Sequence, residues 1–116
     1  MRSRTLTPSD RPIETALILI CEKCGKKLSG SNDPDVNPSR LLQAGLKAGI
    51  SADGQKGALR AVVTTCLDVC PEGTVAVAIV PMAPGDVLGP VFYEVDVSDL
   101  GLAVRDVLAG ARLYRP

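Results

Sequence analysis

The chain has 116 residues with thirteen basic side chains, thirteen acidic ones and no histidine, a length that fits one domain with a modest core rather than two independent ones. Apolar residues make up 46% of it, which excludes a disordered composition, and three aromatics mean that the core is built from Val, Leu, Ile and Ala. A formal net charge of zero leaves no global field to draw the protein to nucleic acid or anionic lipid, so neither is an expected partner.

Residues 1–13 carry Arg2 and Arg4 without an apolar stretch behind them, and read as a flexible arm of a cytoplasmic protein rather than a signal peptide. No apolar run, Ala16 to Cys21 included, exceeds six residues, whereas a membrane-spanning helix needs about twenty. ETALILIC, residues 14–21, has the continuous β-rich character of a strand buried on both faces. The stretch EKCGKKLSGSNDPDVNP that follows is dense in turn formers and reads as a long loop. Asn37-Pro38 then predicts a helix cap with proline at the first helical position, and Gly49 its C-terminal stop. Leu41, Leu42, Gly45, Leu46 and Ala48 supply the apolar face of that helix.

ALRAVVTT, residues 58–65, predicts a second strand, parallel to the first because a helix crossover joins them. Parallel strands share a direction, so both deliver a cysteine to the same end of the sheet: Cys21 with Cys24 from one, Cys66 with Cys70 from the other. Thr74 to Val80 and Val91 to Val95 predict two further strands able to pair as a hairpin, joined by the Pro/Gly loop PMAPGDVLGP, to which no role attaches. Ser98 caps a last helix with Leu100, Val104, Val107, Leu108 and Ala111 along one stripe. The expected fold is α/β, in the order β-α-β-β-β-α of a thioredoxin-like core, with a mixed four-stranded sheet and helices packed on it.

Four cysteines in a cytosolic chain point to metal ligands or redox groups before structural disulfides. CEKC places two sulfurs at chelating distance, and Gly25 suits a turn that aims N–H groups at them; CLDVC offers a second pair from a short loop. Inert buried thiols are the bland alternative. Lys23, Lys26 and Lys27 beside the first pair either dock an acidic partner or form a solvated loop. Glu22, Asp68 and Glu72 do not make an acid-base pair, and no catalytic role is assigned.

CLDVCPEGTVAVAIVP, with LRAVVTT before it and VFYEVDVSDLGLAVRDVLAG after the Pro/Gly loop, resembles the thioredoxin-like 2Fe-2S ferredoxins, a family that includes the small flavoprotein-associated subunit of respiratory complex I. The resemblance spans residues 16–110 and is most specific at Cys66, Leu67, Cys70, Pro71 and Gly73. It implies a thioredoxin-like ferredoxin domain over residues 14–112 with a short tail at 113–116, an electron carrier rather than an enzyme, one 2Fe-2S cluster, a redox partner protein and a homodimer as one option. Cys66, Cys70 and Cys21 match its ligand positions, and Cys24 is the remaining thiol. Only Glu22 and Lys23 separate the first two ligands, fewer than family members usually have. CEKCGKKL also resembles a zinc-ribbon knuckle, so a zinc module held by all four cysteines is one alternative. A thiol-disulfide oxidoreductase using Cys21 and Cys24 is the other, disfavoured because GKKLSGSNDPD is expected to separate the pair from any helix whose N-terminus would activate a thiol.

Overall fold

The computed structural model describes residues 15–54, 56–67, 69, 71–82 and 89–113. The arm, the tip of the Pro/Gly loop, Asp68, Cys70 and the last three residues therefore lie outside the described residues. The fold is α/β, and the described residues form three helices and one mixed four-stranded sheet. The elements are β1 (Ala16–Cys21), α1 (Glu22–Ser29), α2 (Pro38–Ala52), β2 (Leu59–Thr64), β3 (Val75–Pro81), β4 (Val91–Val95) and α3 (Leu100–Arg112). In the sheet they are ordered β2-β1-β3-β4. β1 runs parallel to β2 and antiparallel to β3, and β4 closes the far side antiparallel to β3.

Pairing of Ile18 with Ala61 and Ile79, and of Ile20 with Val77, puts these side chains on one face. There they meet Leu42, Leu46 and Ile50 of α2 and Ala103, Val107 and Leu108 of α3 in a single core. α2 packs against both α1 and α3, and α2 and α3 share the core face of the sheet. The opposite face carries Leu19, Val62 and Phe92 in one cross-strand row, with Phe92 54% exposed.

The segment expected as a long loop after β1 begins instead with a helix. EKCGKKLS has Glu22 in its first turn and Lys26 and Lys27 in its last, each complementing the helix dipole. Gly30 ends it in the left-handed conformation, φ 75°, and its N–H returns to the Lys26 carbonyl at 2.6 Å. The turn-forming residues occupy only the second half of the stretch, where Ser29, Ser31 and Asp33 make short local side-chain bonds.

Two cap assignments shift as well. The α2 cap is as expected, the Asn37 side chain accepting the Ser39 N–H at 2.9 Å with proline at the first position. Gly49, however, does not stop the helix, which continues to Ala52. At the last helix the cap is Asp99, whose Oδ1 accepts the Leu102 N–H at 3.1 Å, and not its neighbour Ser98.

Gly49 and Gly45 serve packing. A Cβ on Gly45 would stand 2.6 Å from Val104 Cγ2, and one on Gly49 2.6 Å from Leu108 Cδ1. These two glycines let α2 and α3 approach closely. Gly45→Ala gains about 1 kcal/mol of helix propensity but meets a clash of about 1–3 kcal/mol, and valine is too stiff at χ1 to swing aside. The clash wins: the expected outcome is a net loss of about 1 kcal/mol, read as a lower urea midpoint at unchanged slope. Val104→Ala in the same chain should recover part of it.

Candidate metal centre

The parallel pairing sets Cys21, the last residue of β1, opposite Thr64, the last of β2. Cys66 follows two residues later, so the two cysteine-bearing segments leave the sheet at the same end. The Thr65 carbonyl ties them together: it accepts the Lys23 N–H at 3.2 Å and the Cys21 thiol at 3.8 Å. Lys23 is the second residue of α1, so the start of that helix is fastened to the end of β2.

Cys21 and Cys24 lie side by side without a disulfide between them, 2% and 5% exposed. Cys66 is half-buried. Among the described residues, no set of three or more histidine, cysteine, aspartate or glutamate side chains is gathered as a metal cage. Cys21 and Cys24 are thus brought together, Cys66 shares their end of the sheet without joining them in such a set, and Cys70 is outside the described residues.

The two buried thiols are not equivalent. Burial opposes ionisation of Cys21, but the Cys24 N–H, the Cys24 thiol and the N–H groups of Leu67 and Lys23 together outweigh it and lower its pKa below the ordinary thiol value. These donors reach the sulfur although no bond of formal N-cap geometry is made. Burial dominates at Cys24. The Ala76 N–H and the charge of Lys27 relieve it only in part, the proton shared toward Cys21 and the charge there add to it, and the Cys24 pKa rises. Cys21 is the sulfur that carries negative charge first.

A buried polar lattice holds this end in place. Asn37 and Ser39, at the start of α2, are both fully buried. Ser39 Oγ donates to the Cys21 carbonyl at 2.6 Å, while Asn37 Nδ2 donates to the carbonyls of Glu22 at 3.4 Å and Ser31 at 3.0 Å. Gly25 passes directly beneath: a Cβ there would fall 1.9 Å from Asn37 Oδ1 and 2.5 Å from Ser39 Oγ. Glu22 is held from outside by an ion pair with Arg40. The α2 cap therefore also fixes the backbone that presents Cys21 and Cys24. From the sequence, Asn37 is legible only as a cap; the sharp approach of glycine to it is not.

The donor chemistry suits a soft, thiophilic metal. The chain has no histidine, so sulfur is the soft ligand it offers, and sulfur binds iron and zinc alike. Backbone N–H groups already aimed at Cys21 and Cys24 would stabilise metal-bound thiolates. Thr74 Oγ1, just before β3 at this end of the sheet, is buried without a hydrogen-bond partner and has donor capacity to spare. Among the described residues no helix is long and apolar enough to cross a membrane. No family model, curated protein or solved structure matches the chain.

Proposed function

We propose that this chain is a small cytoplasmic electron-transfer protein that holds one 2Fe-2S cluster through Cys21, Cys24, Cys66 and Cys70 and passes electrons to or from a redox partner protein. The observation that carries the reading is the Thr65 carbonyl, bonded to both the Cys21 thiol and the Lys23 N–H, because it joins the two cysteine-bearing segments at one end of the sheet. The strand order β2-β1-β3-β4 with one parallel and two antiparallel pairings supports a thioredoxin-like topology, as the motif resemblance implies.

The cluster, when bound, supplies one-electron transfer. The residues of the chain do the rest. Cys21 and Cys24 bind from a pocket that excludes water, and Asn37 and Ser39 fix the backbone that aims them. The N–H groups of Lys23, Cys24, Leu67 and Ala76 stabilise negative charge on sulfur. Lys27 adds a positive charge beside Cys24.

One observation favours a second reading. Cys21 stands immediately before α1, so the expected gap between the C-x-x-C pair and a helix does not exist, and a thiol at a helix N-terminus is how disulfide oxidoreductases activate their nucleophile. Against it, a thiol 2% exposed is shielded from a protein disulfide, and Cys66 and Cys70 would have no part.

Anaerobic purification with metal analysis and a visible spectrum tests the proposal. The expected result is a brown protein with equal amounts of iron and inorganic sulfide, about two of each per chain. A colourless protein with about one zinc would make the same cysteines a structural zinc site of four thiolates. A metal-free protein that rapidly reduces insulin disulfides would establish the second reading.

A further inference from the structure

The helix layer stops short of one edge of the sheet. α2 lies over β2 and β1, and α3 over β1 and β3. β4 extends beyond them. A groove of about 300 Å³ runs between β4 and α3, floored by Val77, Ile79 and Val107, with Tyr93 and Leu102 at its mouth, 41% and 44% exposed. Asp96, Asp99 and Asp106 also line it, and among the described residues no lysine or arginine does.

The groove lies along an unpaired edge. β4 is the last strand in the sheet order, so its outer row of N–H and C=O groups has no strand partner among the described residues. Such edges are templates for strand addition unless they are guarded, commonly by lysine or proline. VFYEV carries neither.

The acidic groups decide what fits. Asp96 and Asp99 spend one oxygen each on backbone N–H groups of Ser98 and Leu102. Arg105 reaches Asp106 at 3.2 Å, but both side chains are largely exposed, and such a pair is worth little. A second copy docking edge to edge would bring VFYEV, a strand with no basic residue to answer these aspartates, and would add a second Glu94 to the strand pair.

We infer that the β4 edge and the adjoining groove form a docking site for an extended, basic segment of a partner protein, which adds to the sheet as a fifth strand. A strand there would lie about 4.8 Å beyond β4, with alternate side chains directed to the same face. On the face turned to the groove, apolar residues continue the floor beside Tyr93 and Leu102, and lysines or arginines further along that same face meet the aspartates. Main-chain bonds supply affinity and the groove supplies selectivity. Among the described residues no cysteine lines the groove, so the inference does not rest on the metal reading.

The probe is a capped octapeptide, Arg-Thr-Val-Thr-Val-Thr-Arg-Thr, whose Arg and Val share one face of a strand, compared with the same peptide carrying Asp in place of both Arg, against the full chain at low salt. The expected result is that the basic peptide binds at least about tenfold more tightly, as complementary charge favours it, and slows amide exchange at residues 91–95. Asp96→Asn with Asp106→Asn should weaken binding roughly fivefold, the sum of two modest exposed charges; Asp99 is left alone because it caps α3. Leu102→Lys, at an exposed position, should abolish binding while far-UV circular dichroism stays unchanged. Equal affinity for the acidic peptide, or exchange protection elsewhere, overturns the inference. Binding that appears only after residues 1–14 are removed would assign the edge to the chain's own N-terminal segment. Self-association that competes with the peptide would assign it to a second copy. Either outcome also overturns the partner assignment.

Discussion

On the proposed 2Fe-2S reading, Cys21→Ser is expected to abolish iron retention, from about two atoms per chain to below about a tenth of that. The sulfur it removes is the one toward which N–H groups of Cys24, Leu67 and Lys23 converge, and an oxygen in its place is a poor ligand for a metal that favours soft donors. Loss of the metal can be separated from loss of the fold. A serine hydroxyl is nearly isosteric with the thiol and has the Thr65 carbonyl as a ready acceptor, so far-UV circular dichroism of the variant should match that of the unaltered apoprotein. Full iron content with an unchanged visible spectrum in Cys21→Ser would refute the ligand assignment.

The second large effect belongs to a residue without a side chain. Gly25→Ala drives a methyl group to 1.9 Å from Asn37 Oδ1 and 2.5 Å from Ser39 Oγ. Neither side chain can retreat freely, since both are fully buried and bonded to the carbonyls of Cys21, Glu22 and Ser31. Overpacking costs about 1–3 kcal/mol, and displacing Asn37 adds about 1–3 kcal/mol for polar groups left unmatched. The helix-propensity gain of about 1 kcal/mol is too small to offset them. We expect a net loss of about 3 kcal/mol and a melting temperature lower by more than about 10 °C. Gly101→Ala is the control. A Cβ there meets only Asp99 Oδ1, at an ordinary 3.6 Å, and the variant should be unchanged or stabilised by up to about 1 kcal/mol. If both variants melted alike, the packing of Gly25 against Asn37 would not matter to stability.

Gly25 also shows why part of the fold is hidden from sequence reading. The four strands are legible because runs such as ALILIC and VAVAIV have no other use in a chain of this length, and their observed limits differ from expectation by a residue or two. α1 is not, because its eight residues sit in front of a run of Gly, Ser, Asn, Asp and Pro and contain a glycine themselves. Glu22, the late lysines and Gly30 are its signals in the chain, but only tertiary contact explains a glycine in its middle. Gly49 misleads in the opposite sense: a glycine near a helix end resembles a stop, and its role against Leu108 exists only once α3 is in place.

The same contrast holds at the candidate site. That both cysteine segments leave one end of the sheet follows from β1 and β2 being parallel, which strand-helix-strand order implies. Which sulfur ionises first, and that Asn37 and Ser39 hold the loop, depend on donors and acceptors brought from other elements. The groove at β4 is equally invisible in the chain order, since it arises from where α3 comes to rest.

β1 is the second strand of the sheet, yet it comes first in the chain, and its two neighbours come much later: Ala16 pairs with Leu59 on one side and Pro81 on the other. During synthesis nothing can flank β1 until β2 has left the ribosome, and the pairing is incomplete until β3 follows. Until both strands have emerged, Cys21 and Cys24 therefore lack part of the shelter they have in the folded chain and stand more open to oxidants and stray ions.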